Sequence, residues 1–366
     1  MSNNYSIYVH IPFCKARCKY CAFSSNTDFG LQGAYFDKLC AEIDGCFAPT
    51  RQIGTVFVGG GTPTSVDDKF LAQTFETLDK KFVFVDDCEI TCECNPETAN
   101  LDKMKLLAEL GVNRVSFGLQ SANDQTLYLI GRRHTYADFL RAVDNALAAG
   151  ITNINADLIL GLPETHADFT RTLHTVTSLP LTHLSLYALE IYPDTPMWQL
   201  RDLCPTDEDY LADLYDEGVA VFGEHGFVRY ETSNFARDGK VCRHNLNYWR
   251  EGRYYGFGAS ASGFVGDLRY KNKSDIVDYI AASDLREESE TESLDEQAKE
   301  YVMLTLRLDE GLDEAEFLSR YGKPFRDFFP SADKLLQQGF LTQSDGHVKI
   351  PADKAYVANS ILEELL

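Results

Sequence analysis

Three cysteines carry the clearest chemistry in this chain. Cys14-x3-Cys18-x2-Cys21 puts three thiols on one short stretch, directly after a β-rich run. Three thiolates on one tight loop can ligate three irons of a [4Fe–4S] cube and leave the fourth iron open. Two other readings of the same thiols are a zinc site lacking its fourth ligand and unligated cysteines. Zinc sites usually come as two separated pairs, and a second C-x2-C is absent from the sequence.

The elements that must position this loop read as a β-α alternation. Strands are predicted at Tyr5–His10, Thr55–Val58, Glu89–Glu93, Arg114–Gly118, Asn155–Leu160 and His183–Leu189. Helices are predicted near Gly33–Phe47, Val66–Lys81, Asp102–Leu110, Ala137–Ala149 and Ala167–Ser178, with Gly111 and Gly150 placed as C-terminal caps. Such repeats imply a parallel sheet with right-handed crossovers, doubly wound or curled toward a barrel. In either fold the C-terminal ends of the strands share one face, where active sites sit.

Those ends carry more than packing residues. The second strand runs into Gly59-Gly60-Gly61-Thr62-Pro63, which lets backbone approach a ligand closely and would suit a zwitterionic amino acid moiety. Glu93, Gln120 and Tyr187 fall at or near later strand ends, and Asp157 lies within the fifth strand. One shared ligand site explains this set better than packing does.

The remaining chain divides by composition. Residues 1–200 form the β-α array, and residues 201–285 are rich in aromatics and glycine without the alternation. Glu287-Glu288-Ser289-Glu290-Thr291-Glu292 reads as a solvated linker. Residues 294–366 read as helices followed by a hairpin over Gly339–Ile350, turning at Asp345-Gly346, which suggests a winged-helix-like module.

Bulk composition narrows the function classes. The 366 residues are 44% hydrophobic and 25% charged, as expected of a folded α/β protein. A net charge of −22 argues against a nucleic-acid surface. No apolar run approaches the ~18–20 residues needed to span a bilayer, and no secretory signal is visible, so the expected compartment is the cytoplasm. There the ten cysteines are expected to be reduced thiols or metal ligands.

Four segments together resemble one family: His10-Ile-Pro-Phe-Cys14-x3-Cys18-x-Tyr20-Cys21, Gly59–Pro63, Arg114-x-Ser116-x-Gly118-x-Gln120-Ser121, and Asp157-Leu-Ile-Leu-Gly-Leu-Pro163. They resemble the radical S-adenosylmethionine (SAM) group of the oxygen-independent coproporphyrinogen III oxidases, and the likeness extends into the C-terminal module. The resemblance implies an incomplete (β/α)6 barrel, an irregular extension and a small C-terminal helical domain. It also implies a [4Fe–4S] cluster on Cys14, Cys18 and Cys21, whose open iron binds the amino and carboxylate groups of SAM. Gly60, Gly61 and Thr62 would hold the methionyl amino group and Glu93 the ribose. Gln120, Arg132 and Asp157 would complete the pocket, with Tyr8 beside the cluster.

Within this group the chain resembles the heme-chaperone branch more than the oxidases. The oxidases carry a further cysteine two positions after the third ligand, where this chain has Phe23, and a longer stretch before the motif than the 13 residues here. His244-Asn-Leu-Asn-Tyr248-Trp249 looks like the H-N-x-x-Y-W signature that the chaperone branch associates with heme. A neutral imidazole is a good axial ligand, and adjacent aromatics can cover a porphyrin face. Cys242 is a second candidate ligand, and His244 as a satisfied core residue is the plain alternative. The implied function is to bind heme and deliver it to acceptor hemoproteins such as respiratory enzymes, with peripheral membrane contact left open. The rival is oxidative decarboxylation of coproporphyrinogen III.

Other residues take a plainer reading. Cys88, Cys92 and Cys94 alternate onto one face of a strand, opposite Glu93, as buried thiols. Cys40, Cys46 and Cys204 read as core or surface thiols, His10 as a residue behind the cluster, and His134 as marking a helix start. His166, His174, His225 and His347 carry no signal.

Overall fold

The computed structural model describes residues 4–366. The chain opens with β1 (Tyr5–Ile11), α1 (Gln32–Gly45), β2 (Gln52–Gly60), α2 (Asp68–Lys81), β3 (Val83–Cys94), α3 (Leu101–Glu109) and β4 (Arg114–Gln120). It continues through α4 (Asp124–Leu129), α5 (Tyr136–Ala148), β5 (Asn153–Leu160), α6 (His166–Thr177), β6 (His183–Ala188) and α7 (Glu208–Glu224). Strands β1 to β6 lie side by side in chain order, all parallel. The fold is the α/β, incomplete (β/α)6 barrel that the alternation and the resemblance predicted.

The helices start and stop where local chemistry dictates. Thr135 and Asp138 form a reciprocal capping box on α5, while Asn100 and Thr165 cap α3 and α6. Gly111 and Gly150, at φ +86° and +87°, end α3 and α5 as predicted. The outward faces of the strands and the inward faces of the helices make one core; Phe36 and Phe70, stacked at 4.7 Å, fasten α1 to α2 within it. Cys88, Cys92 and Cys94 are buried on this outer face of β3, as alternation required.

Residues 201–285 differ from the expectation of an irregular extension. The 17-residue α7 packs on α6 and is the sixth barrel helix. It leads to β7 (Val228–Glu231) and β8 (Asn234–Ala236), which add antiparallel to β6. After α8 (Arg243–Trp249), β9 (Tyr254–Phe257) joins β1 in parallel, and β10 (Ser262–Val265) and β11 (Leu268–Asn272) follow antiparallel. The extension therefore lengthens the sheet at both ends.

The acidic stretch is also not a free linker. After α9 (Ile276–Ala281), Arg286–Thr291 forms β12, the exposed edge strand paired antiparallel with β11. In register Arg269 faces Glu290 and Lys271 faces Glu288, while the ion pairs run from Arg269 to Glu292 and Glu300 and from Lys271 to Glu287, along an edge that has no apolar face.

The C-terminal residues build a separate core. They comprise α10 (Leu294–Thr305), β13 (Leu312–Asp313), α11 (Glu314–Tyr321), α12 (Phe325–Phe328), α13 (Ser331–Gln338), β14 (Thr342–Ser344), β15 (His347–Lys349) and α14 (Ala358–Leu365). The hairpin turns at Asp345-Gly346, both at positive φ, as the sequence predicted. No helix among the described residues is long and apolar enough to cross a membrane.

Candidate functional site

The cysteine loop leaves β1 at its C-terminal end and is tied down by backbone bonds. Cys14 N–H and Asn26 C=O lie 3.0 Å apart, and Lys19 N–H donates to Ile130 C=O at 2.9 Å. Cys14, Cys18 and Cys21 are all partly exposed free thiols. Burial raises the Cys14 thiol to about 11, opposed by a hydrogen bond from Thr62, and burial likewise raises Cys21. Iron ligation here would therefore release protons.

The glycine run fits this loop closely. Gly61 N–H and Thr62 N–H donate to Ile11 C=O and Phe13 C=O at 2.9 and 2.8 Å, locking the end of β2 to the start of the loop. A Cβ at Gly61 would fall 2.8 Å from Pro12 C. One at Gly59 would fall 2.7 Å from the Glu93 carboxylate, which accepts Gly60 N–H at 2.9 Å. At Gly61 the facing backbone leaves room only for glycine, whereas at Gly59 a side chain would have to displace the Glu93 carboxylate.

A polar chain joins the thiols to the later strand ends. Thr62 Oγ1 lies 3.5 Å from Cys14 Sγ and accepts from Asn95 Nδ2 at 3.1 Å. Asn95 Oδ1 accepts from Arg132 at 2.8 Å, and Arg132 in turn donates to Cys18 Sγ at 3.4 Å and to Gly118 C=O. Gln120, just beyond, holds a left-handed φ of +75°, strain of the kind concentrated at functional sites. Asn95 stands two residues past Glu93 at the same strand end, and that position is its only mark in the sequence.

Inside the barrel, Tyr8, Glu93 and Asp157 are partly exposed. Tyr8 OH is 2.9 Å from His10 Nδ1, and His10 Nε2 lies 3.0 Å from Ser24 C=O, so His10 braces the loop from behind. Asp157 accepts from Ser116 at 3.0 Å and from Asn155 at 2.8 Å. Desolvation, then the nearby Asp157 charge, lifts Glu93 to about 7 despite the Gly60 hydrogen bond. Desolvation also raises Asp157. Tyr187 is exposed at the end of β6.

The residues present fit an iron–sulfur cluster with an amino-acid-bearing partner. Three unpaired thiols supply soft donors, and the barrel mouth offers carboxylates and backbone. Arg132 Nε and Thr91 Oγ1 are buried without a hydrogen-bond partner, which is expected where a polar ligand belongs.

His244 and Cys242 are not brought to this mouth. They begin α8, which plugs the opposite end of the barrel, where Glu89 accepts from His244 N–H at 3.0 Å and Arg243 N–H at 3.1 Å. His244 is 1% exposed, and both ring nitrogens are engaged: Nδ1 with Thr55 Oγ1 at 2.8 Å and Nε2 with Tyr248 OH at 2.9 Å. Its ring stacks on Phe57. From Thr55 to Gly60 the strand climbs about 16 Å at ~3.3 Å per residue, which is the scale separating the two ends. Burial holds the His244 imidazole neutral, with its pKa pushed down to about 3, and raises the Cys242 thiol to about 12.

His134 is buried and accounts for no ligand, while His166 forms an exposed pair with Glu217. Buried Arg114, which sequence reading used only as part of a motif, stands among Cys242, Glu89, Tyr230 and Asp157 within the barrel.

Comparison with known proteins gives the family. Residues 8–176 match the radical SAM superfamily, and residues 293–352 match the HemN C-terminal domain. The heme chaperone HemW of Bacillus subtilis (strain 168) is 33% identical, covering 99% of this chain and 99% of its own. The protein of the same name in Escherichia coli (strain K12) is 32% identical, over 99% and 98%. The mitochondrial radical S-adenosyl methionine domain-containing protein 1 of Bos taurus is 35% identical over 72% of this chain and 61% of its own. Among solved structures, the coproporphyrinogen III oxidase HemN of Escherichia coli superposes with a TM-score of 0.85 at 23% identity, covering 99% of this chain and 90% of that one, which is a likeness of fold. Membership of the superfamily implies a [4Fe–4S] cluster and SAM. The likeness over the full length gives the conclusion: the chain belongs to the HemW family of radical SAM proteins.

Proposed function

We propose that this protein binds heme and delivers it to acceptor hemoproteins in the cytoplasm, with a [4Fe–4S] cluster on Cys14, Cys18 and Cys21. SAM would lie against Gly60, Gly61, Thr62, Glu93, Gln120, Arg132 and Asp157, with Tyr8 at the cluster. The observation that carries the cluster and SAM assignment is the chain from Cys14 through Thr62, Asn95 and Arg132 to Cys18, which ties two of the three thiols to the strand ends. Support for the heme role comes from the full-length likeness to proteins named heme chaperones.

When bound, the cluster supplies one-electron chemistry toward SAM. The chain's own residues do the rest. Arg132 sets a positive charge against Cys18, Glu93 and Asp157 offer acceptors in a partly desolvated bore, and His10 holds Tyr8 and the loop in place. Iron ligation by His244 would require its ring to leave Thr55 and Tyr248; Cys242, beside it, is the other donor.

The test is anaerobic reconstitution with iron and sulfide, then heme titration of wild type and the Cys14/Cys18/Cys21→Ala variant. A cluster spectrum lost in the variant, with near-stoichiometric heme binding by wild type, is the expected outcome. A cluster without heme binding, accompanied by conversion of coproporphyrinogen III, would replace this reading with the oxidase one.

A further inference from the structure

Beneath the barrel plug lies an open cleft of about 1130 Å³, lined by the starts of β1 and β2, by α8 and its exit, and by α10 and α11. That volume exceeds the usual range of small-molecule sites and suits a large cofactor. Its charge is opposite to the chain's. Four arginines line it, Arg243, Arg250, Arg253 and Arg320, against two acids, Asp87 and Glu251, in a protein of net charge −22. Tyr5, Val85, Leu246 and Leu294 add apolar wall between them.

The arginines fall into two kinds. Arg253 and Arg320 are largely buried and committed: Arg253 stacks on Phe264 and donates to Gln297, and Arg320 pairs with Glu251 and Glu316. Arg243 and Arg250 are half-exposed, and their partners Asp87 and Glu310 are exposed as well. Exposed pairs of this kind hold weakly and can exchange one carboxylate for another. Guanidinium forks receive carboxylates in bidentate geometry, which lysine does not match.

We propose that this cavity receives heme, with Arg243 and Arg250 taking its two propionate carboxylates in exchange for Asp87 and Glu310. The inference rests on the heme-binding reading and adds the place and the contacts. The cavity also adjoins the helix that carries His244. Thr55, which holds His244 Nδ1, lines the cavity, and so do Arg243, Leu246 and Asn247 of the same helix. His244 therefore stands one residue behind the wall, held by Thr55 and Tyr248.

The experiment titrates ferric heme and heme dimethyl ester into cluster-loaded wild type and the Arg243→Gln/Arg250→Gln variant at low and high salt. Wild type is expected to bind heme at least about tenfold more tightly than the ester, with the advantage shrinking as salt rises. The variant is expected to bind both ligands as weakly as wild type binds the ester. An Arg243→Lys/Arg250→Lys variant, which keeps the charge and loses the fork, should fall between. Equal affinity of wild type for heme and its ester overturns the proposal without any substitution, and so does unchanged heme affinity in the Gln variant. Wild type binding neither ligand would instead remove the heme reading, and this proposal with it.

Discussion

Thr55 Oγ1 and His244 Nδ1 lie 2.8 Å apart, closing the N-terminal end of the barrel with residues 189 positions apart in sequence. Thr55 also donates to Ser6 at 2.7 Å, and Tyr248 OH meets the other imidazole nitrogen. His244 is thus a satisfied polar keystone in this state. Replacing it by Gln leaves at least one buried partner short, so a loss of about 1–3 kcal/mol is expected at neutral pH. The pH dependence identifies the cause. Burial lowers the folded imidazole from 6.5 to about 3, so its stabilisation is full above pH 6.5 and is lost as pH falls toward 3, because the unfolded chain binds the extra proton. The gap between wild type and His244→Gln should therefore narrow on acidification. Denaturant melts at pH 8 and pH 5 check this; a constant gap would assign the loss to packing alone.

Gly59 and Gly61 stand two residues apart and should fail differently. A Cβ at Gly59 meets the Glu93 carboxylate, and one at Gly61 meets the backbone at Pro12 and Phe13. Gly59→Ala is expected to push Glu93 from Gly60 N–H and weaken SAM binding by tenfold or more, about 1.4 kcal/mol, while the cluster still forms. Gly61→Ala must move the cysteine loop itself, so cluster loading should fall first. Iron content and equilibrium dialysis with SAM separate the two; identical phenotypes would show that the run acts as one turn.

Arg132 sets a positive charge against the cysteine loop through its bond to Cys18 Sγ at 3.4 Å. Hydrogen bonds to the sulfurs and local charge set cluster potentials. Arg132→Gln removes both a donor and a charge that favours the reduced, more negative cluster. The midpoint potential should fall, by tens of millivolts, in an anaerobic redox titration. A potential unmoved by the substitution would place the Arg132 side chain away from the cluster in the loaded protein.

The site was legible where its signal was local and the fold was legible where it was periodic. Cys14, Cys18, Cys21 and the glycine run announce themselves by spacing, and β1 to β6 by alternation with helices of ordinary length. Three features escaped. The helix Glu208–Glu224 begins beyond a long connection that includes a 3-10 turn over Pro196–Leu203, which hid it from the β-α rhythm. Strand Arg286–Thr291 has no buried face and is rich in glutamate, so no hydrophobic pattern could mark it. His244 looks the same in sequence whether it ligates or packs; only the positions of Thr55 and Tyr248 reveal that both nitrogens are occupied.

The C-terminal module carries its own core, and Phe317 is its centre. The ring is fully buried and meets Tyr301, Tyr321, Phe325, Phe328 and Phe329. Truncation to Ala removes a large buried side chain and leaves a cavity, costing about 3–5 kcal/mol. These contacts all lie in the C-terminal cluster, separate from the core around β1 to β6. Phe317→Ala should therefore expose sites after residue 293 to limited proteolysis while the iron–sulfur spectrum of the reconstituted protein is retained. Heme affinity is the sensitive readout, since Arg320 and Tyr321 of α11 wall the cavity under α8. Loosening α11 should weaken heme binding without touching a cluster ligand. If cluster loading collapses together with the module, the two cores fold as one unit; if heme binding is untouched, the α11 wall contributes nothing to the site.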